Sequence, residues 1–263
     1  MQDKNLLQLN NIEPASYIWR KLFVKNHVHT GGVIIEVAPG YEPKIGKALA
    51  LLGFKGTIFL IEPDQKAAFY IKEAYQRILP QATVRVVVKS LQDVEVGVDV
   101  PNGVDVLAAS HPFDDMVLSF AVGQDHDSFF SQEKEDGAHL SSSVRKLYDA
   151  IGDRDYKFGI RTTIATWQRF IRSVRPNYFI ASQYPSHTLM IKGLTKRQNS
   201  GFIVLRLLKN FYRRFLIQQP REPLFGFKGS PQWWIVAKRP SINSLRGFTG
   251  GLKWNQVWVG LDL

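Results

Sequence analysis

The stretch Val33-Ile-Ile-Glu-Val37, followed at once by Ala38-Pro39-Gly40-Tyr41, decides how the chain is read. Four apolar, mostly β-branched residues around a single acid make a short strand with no polar face, and such a run is buried on both sides. Pro39 and Gly40 end it, and a helix follows from about Pro43 to Leu52, with Gly53 as its stop. The alternation then continues. Thr57-Ile-Phe-Leu-Ile61 is a second buried strand, ending at Glu62-Pro63-Asp64. Asp64 caps a helix whose apolar positions Ala67, Ile71, Ala74, Tyr75 and Ile78 keep a 3.6-residue period, and Pro80 closes it. Thr83 to Val88 is a third strand and Val104 to Ala109 a fourth.

Fully apolar strands alternating with helices predict a parallel sheet covered on both faces, and right-handed crossovers make it doubly wound. Before it, residues 14–26 have the spacing of an amphipathic helix, with Ile18 and Leu22, Trp19 and Phe23 at i, i+4. Beyond it, Trp167 to Val174 reads as a helix, Asn177 to Ala181 as a fifth strand, and Phe202 to Phe215 as helical spacing. Phe215–Ile217 and Trp233–Ala237 are two last strands. Their Pro/Gly-rich connection is too short for a crossover helix, so this terminal pair is expected to be antiparallel. The expected fold is therefore a single α/β domain over residues 1–263, with a mostly parallel, seven-stranded sheet. Residues 1–30 form an N-terminal helical extension, 124–157 a polar lid or insertion, and 241–263 a C-terminal extension. Trp233 and Trp234 are expected to bury one ring on each face.

Composition narrows the chemistry. The 263 residues include no cysteine, which removes disulfides, cysteine-ligated zinc, iron–sulfur clusters and thiol nucleophiles. Neither a Gly-x-x-x-x-Gly-Lys loop nor a Gly-x-Ser-x-Gly elbow occurs, against nucleotide hydrolysis and serine hydrolysis. No secretory signal and no apolar run of about 18 residues is present, so a soluble cytoplasmic protein without a membrane span is expected. Charge is uneven. Residues 157–263 hold 18 Lys and Arg against two acids, Glu222 and Asp262, so this part carries +16 while the whole chain carries +11. Such asymmetry suits either a partner polyanion such as nucleic acid, or a basic face that only solubilises.

In a doubly wound sheet, ligands bind at the carboxyl ends of the strands, where the strand order reverses. Small residues after the first strand let the backbone approach a ligand closely. Glu62, 22 residues beyond Gly40, stands where a carboxylate can accept two hydrogen bonds from a ribose diol. Ser90-Leu91 follow the third strand, and Ser110-His111-Pro112-Phe113-Asp114-Asp115 the fourth. His111 suits a general base, its pKa lying near working pH, or a bond to a loop carbonyl. Asp114 and Asp115 suit substrate orientation or the first turn of the following helix. Asp125-His126-Asp127 and His27-Val-His29 have metal-ligand residue types without a partner at diagnostic spacing, so no metal is expected.

On these residues the chain resembles the class I, Rossmann-like S-adenosylmethionine-dependent methyltransferases, over roughly residues 30–240. The family's acid-x-Gly-x-Gly-x-Gly loop corresponds to Glu36-Val-Ala-Pro-Gly-Tyr-Glu42, with one glycine of three kept. The resemblance implies S-adenosylmethionine as cofactor and a methyl acceptor that the sequence does not identify. It implies Glu36 orienting the loop or the cofactor's amino group, and Ala38 and Gly40, with Tyr41 beside them, lining its methionine part. Glu62, followed by Pro63, would bind its ribose, Ser90 and Leu91 would lie near adenine, and Ser110 and His111 would close the site beside the methyl group. Methyltransferases acting on exocyclic amino groups carry Asn/Asp-Pro-Pro-Tyr/Phe where this chain has Ser110-His-Pro-Phe113. Two alternatives stand beside this reading. One is a non-catalytic cofactor- or polyanion-binding module of the same fold. The other is a nicotinamide oxidoreductase, whose fingerprint wants glycine where Pro43 stands.

Overall fold

β1 (Val33–Val37) has a strand on either side: it pairs in parallel with β2 (Thr57–Ile61) and with β4 (Val106–Ser110). β3 (Thr83–Val87) extends the sheet beyond β2, and β5 (Tyr178–Ser182) beyond β4, both in parallel. β6 (Trp234–Lys238) closes the far side antiparallel to β5, giving the order β3-β2-β1-β4-β5-β6. These elements belong to a computed structural model that describes residues 14–123, 142–224 and 228–239. Most of the polar stretch 124–143, with Asp125-His126-Asp127, and the extension 241–263 lie outside the described residues.

Alternation along each strand sorts the core into two layers. Ile35 and Val37 of β1 face a cluster with α4 (Phe113–Val122), α6 (Asp153–Val174) and α8 (Thr195–Phe211). Ile34 faces the other, with α1 (Pro14–Lys25), α2 (Lys44–Ala50) and α3 (Gln65–Ile78). Two shorter helices, α5 (Ser142–Ala150) and α7 (His187–Ile191), flank the first layer. Each fully buried aliphatic or aromatic side chain stabilises by about 1.5–3 kcal/mol. Among the described residues, no helix is long and apolar enough to cross a membrane.

Three expectations need correction. The described sheet has six strands, not seven. Phe215 ends a 3₁₀ turn, and only Leu216 bridges β6, opposite Ala237. The Gln219 side chain takes over the ladder there: its Oε1 accepts from Val236 N–H at 2.9 Å and its amide donates to the Ile217 carbonyl. Pro220 follows and has no N–H to give. Second, Trp233 precedes β6 in a 3₁₀ turn, so both tryptophan rings enter the same cluster as α1, and Trp19 meets Trp234 edge-on at 5.5 Å. Third, the helix expected over Trp167 to Val174 reaches back to Asp153 as α6. Gly159 permits that helix to lie against α4, because a Cβ there would sit 2.4 Å from the Val117 carbonyl oxygen.

The acid of β1 points into the α2/α3 layer. Tyr75 donates to the Glu36 carboxyl and accepts from Gly46 N–H at 2.8 Å, tying the start of α2 to the sheet. Burial pushes Glu36 up to about 8, against the opposing pull of Tyr75 and Lys44. Its proton is thus held more tightly folded than unfolded. That contribution to stability is complete below the ordinary value near 4.5 and is lost as pH climbs through about 8. Thermal melts should show the midpoint falling between about pH 5 and 8, with a smaller fall in Glu36→Gln. Tyr75→Phe, which strands two buried polar groups, should cost about 1–3 kcal/mol in urea unfolding.

Candidate functional site

β1 and β4 lie side by side, yet their chains leave to opposite layers of the molecule, β1 toward α2 and β4 toward α4. Both leave through a residue in left-handed backbone, Ala38 at φ 52° and His111 at φ 65°. A side chain in that region costs roughly 1–2 kcal/mol, and such strain tends to be stored at functional sites. Each exit is pinned outward. Ala38 N–H donates to the Ile61 carbonyl at the end of β2, and His111 N–H to the Ser182 carbonyl at the end of β5, both at 2.8 Å. Each exit is thus held to its outer neighbour, and the position above the β1–β4 pair is the switch point, where a ligand crevice is expected.

On the β1–β2 side the geometry converges on one carboxylate. Glu62, 5% exposed, accepts from Gly40 N–H at 2.8 Å through Oε2 and from Asp64 N–H at 3.1 Å through Oε1. Gly40 has φ 59°, and a Cβ built on it would meet nothing within 4 Å, so the turn is bare and open. Tyr41 stands exposed beside it, its ring 5.5 Å from that of Tyr70, and Pro63 is exposed at the rim. Ser90 is half-buried after β3, whereas Leu91 belongs to the core with Val37 and Ile61.

On the β4–β5 side lies a polar network. Ser110 is in register with Ser182. His111 Nε2 meets the Tyr184 carbonyl at 2.7 Å and Nδ1 the Asp114 carboxylate at 3.3 Å. Gln183 donates to Asp114 at 2.8 Å and accepts from Phe113 N–H at 3.1 Å. Arg197 of α8 lies 3.8 Å from Asp114 and pairs with Asp115 and Tyr148. Tyr184 joins the two sides: Lys44, at the start of α2, donates to its hydroxyl at 2.9 Å. The Lys44 ammonium, also paired with Glu42, titrates above its usual value; burial opposes that, and Tyr184 and Glu42 outweigh it.

Several predicted residues thus come together and others do not. Gly40 and Glu62 share one lip, and Ser110, His111 and Asp114 share the other. Glu36 is turned into the helical layer, and Asp115 faces Arg197. A general base needs a free ring nitrogen, and both nitrogens of His111 face protein acceptors; the carbonyl-bonding alternative matches this geometry. Sequence reasoning passes over Gln183 and Tyr184, although they follow β5 just as Ser110 and His111 follow β4. Lys44, Tyr75 and Arg197 carry no local signal. Among the described residues, no group of three or more metal-ligating side chains forms.

No protein-family profile matches the chain, and neither does any curated protein. Solved structures do. NSun6 from Pyrococcus horikoshii with SFG is similar at 15% identity and a TM-score of 0.47, over 86% of this chain and 51% of that one. A Clostridium thermocellum protein inferred to be an rRNA-methylase is similar at 14% and 0.46, over 84% and 96%. A SAM-dependent methyltransferase from Aquifex aeolicus is similar at 12% and 0.39, over 71% and 77%. This chain spans about half the length of NSun6. At such identities function has to be read from the site residues.

The network sets a titration that can be measured. Burial pulls the His111 imidazole down, but the Asp114 carboxylate outweighs it and the net shift is upward. Burial pushes Asp114 up, and His111 and Arg197 overcome it, leaving the carboxyl at about 2. The histidine's contribution to stability is full below about 6.5 and fades as pH rises past its raised value. That of Asp114 is present above its ordinary value and fades as pH falls toward 2. NMR titration should place the His111 imidazole above 6.5 in the wild type and below 6.5 in Asp114→Asn.

Proposed function

We propose that the switch-point crevice binds S-adenosylmethionine and that the chain transfers its methyl group to an acceptor. The observation that carries this reading is the hydrogen bond between Glu62 Oε2 and Gly40 N–H at 2.8 Å, which puts the acid and the bare turn on one lip. The residues present fit the cofactor. Glu62 places a carboxylate beside the turn where a ribose diol would bind, and the open side of Gly40 leaves room for the backbone to lie against the methionine part. Ser90 lies on the side where adenine would extend.

S-adenosylmethionine, when bound, supplies an electrophilic methyl on a sulfonium. The protein's work in an in-line transfer is positioning rather than covalent catalysis. Glu62 binds the sugar, and Ala38 to Tyr41 shape the wall beside it. Ser110 and His111 form the opposite wall, held by Gln183, Tyr184 and Asp114. With both nitrogens engaged, His111 acts as a positioning residue that keeps its loop rigid. Asp114 serves the same loop from beneath, and Asp115 anchors α4 to Arg197.

A second reading has its own support. Because no ring nitrogen of His111 is free, the same crevice suits a module that holds the cofactor without turnover. Isothermal titration with S-adenosylhomocysteine should show binding by the intact protein and a loss of at least tenfold in Glu62→Ala, while Glu36→Gln should change it little. No binding by the intact protein overturns both readings. Binding without methyl release from labelled cofactor across RNA, DNA, protein and small-molecule acceptors favours the module.

A further inference from the structure

α6 is longer than the sheet it covers. Its last turn lies at the amino edge, where Gly103 N–H donates to the Val174 carbonyl and the chain turns into β5. A five-residue strand spans about 17 Å, whereas 22 helical residues span about 33 Å. Trp167 packs edge-on against Phe113, the first residue of α4, with centroids 5.5 Å apart. The turns before it therefore extend past the carboxyl edge, toward the mouth of the crevice.

One face of this helix carries five cations and no acid. At 100° per residue, Arg154, Lys157, Arg161, Arg169 and Arg172 fall within one 120° sector opposite the buried Thr163 and Trp167, and all five are exposed. Phe158, 59% exposed, lies in the same sector with Ala165 and Gln168. No acid of the helix does: Asp153 and Asp155 lie to either side at its first turn. Lys196 pairs with Asp153, and the far end borders Gln92 and Asp93, where Arg169 donates to the Gln92 carbonyl at 2.8 Å. Solubility alone does not call for this pattern. Arg154 opposes the helix dipole in the first turn, and Lys157 and Arg161 are like charges at i, i+4, a cost that Asp153, four residues before Lys157, offsets only in part. The sector runs about 27 Å from Arg154 to Arg172. Along the axis the neighbouring cations are spaced about 4.5 to 12 Å apart, a ladder of charge that an extended polyanion can follow.

We propose that this face of α6 grips the phosphodiester backbone of a nucleic-acid strand, with Phe158 against a base, and leads the strand to the crevice. As a statement about the methyl acceptor it rests on the cofactor reading above; as a statement about binding it stands apart. The test is fluorescence anisotropy with a labelled 20-nucleotide RNA and the same sequence as DNA. Four phosphate contacts predict an affinity loss of about 50-fold between 50 and 200 mM salt. Arg154→Glu/Lys157→Glu/Arg161→Glu should weaken binding more than tenfold and flatten that salt slope. Arg154→Gln/Arg161→Gln should do so by a smaller factor. Phe158→Ala should lose about tenfold with the slope unchanged. Lys66→Glu/Lys72→Glu, on α3 in the other layer, is the control and should change binding less than twofold. Circular dichroism and S-adenosylhomocysteine binding should be unaltered in all variants.

Comparison of the RNA and DNA arms tells which sugar is preferred. The proposal fails if neither polymer binds, if anionic phosphatidylglycerol vesicles bind and the polymers do not, or if the α3 control weakens binding as much as the α6 variants. Retained polynucleotide binding with no S-adenosylhomocysteine binding would instead remove the cofactor reading and leave this surface standing.

Discussion

Two adjacent parallel strands that must deliver their chains to opposite faces are the constraint from which the rest follows. β1 hands over to α2 and β4 to α4, and both turn out of the sheet through left-handed backbone, at Ala38 and His111. The strain at these two residues is offset by bonds to the outer neighbours, Ile61 and Ser182. Had the exits bonded to each other, the edge would be closed. Each bonded to its outer neighbour, they flank the switch point over the β1–β4 pair, and the two sides differ in chemistry.

The walls are held by different means. On one, a single buried carboxylate collects backbone amides from two loops, so Gly40 and Asp64 are positioned by Glu62 as much as Glu62 is positioned by them. On the other, charges neutralise one another under the loop: Asp114 sits among Gln183, His111 and Arg197. A buried ion is tolerated only with such partners. Tyr184 spans the two, its carbonyl on His111 and its hydroxyl on Lys44. Movement of either loop is thereby felt by the other.

Much of this is legible in the chain itself. Apolar runs flanked by turn residues announce β1 and β2 residue for residue, because strands buried on both faces leave no polar alternation to blur them. The residues after those strands follow from the rule for parallel sheets, which places Gly40 and Glu62 together before any coordinate is known. What stays hidden is long-range or local compensation. Arg197 meets Asp115 across 82 residues and Tyr75 meets Glu36 across 39, and no spacing rule reaches so far. The seventh strand is lost to a side chain: Gln219 imitates a backbone ladder just before a proline. The first half of α6 is masked by its charges and by Gly159, which reads as a helix breaker but provides the contact with Val117.

The most direct measurement is a crystal structure of the protein with S-adenosylhomocysteine. The account predicts both ribose hydroxyls within hydrogen-bond distance of the Glu62 carboxylate and the homocysteine chain lying along Ala38 to Gly40, with its sulfur facing Ser110 and His111. Ligand density in any other part of the molecule, or a ribose turned away from Glu62, would contradict it.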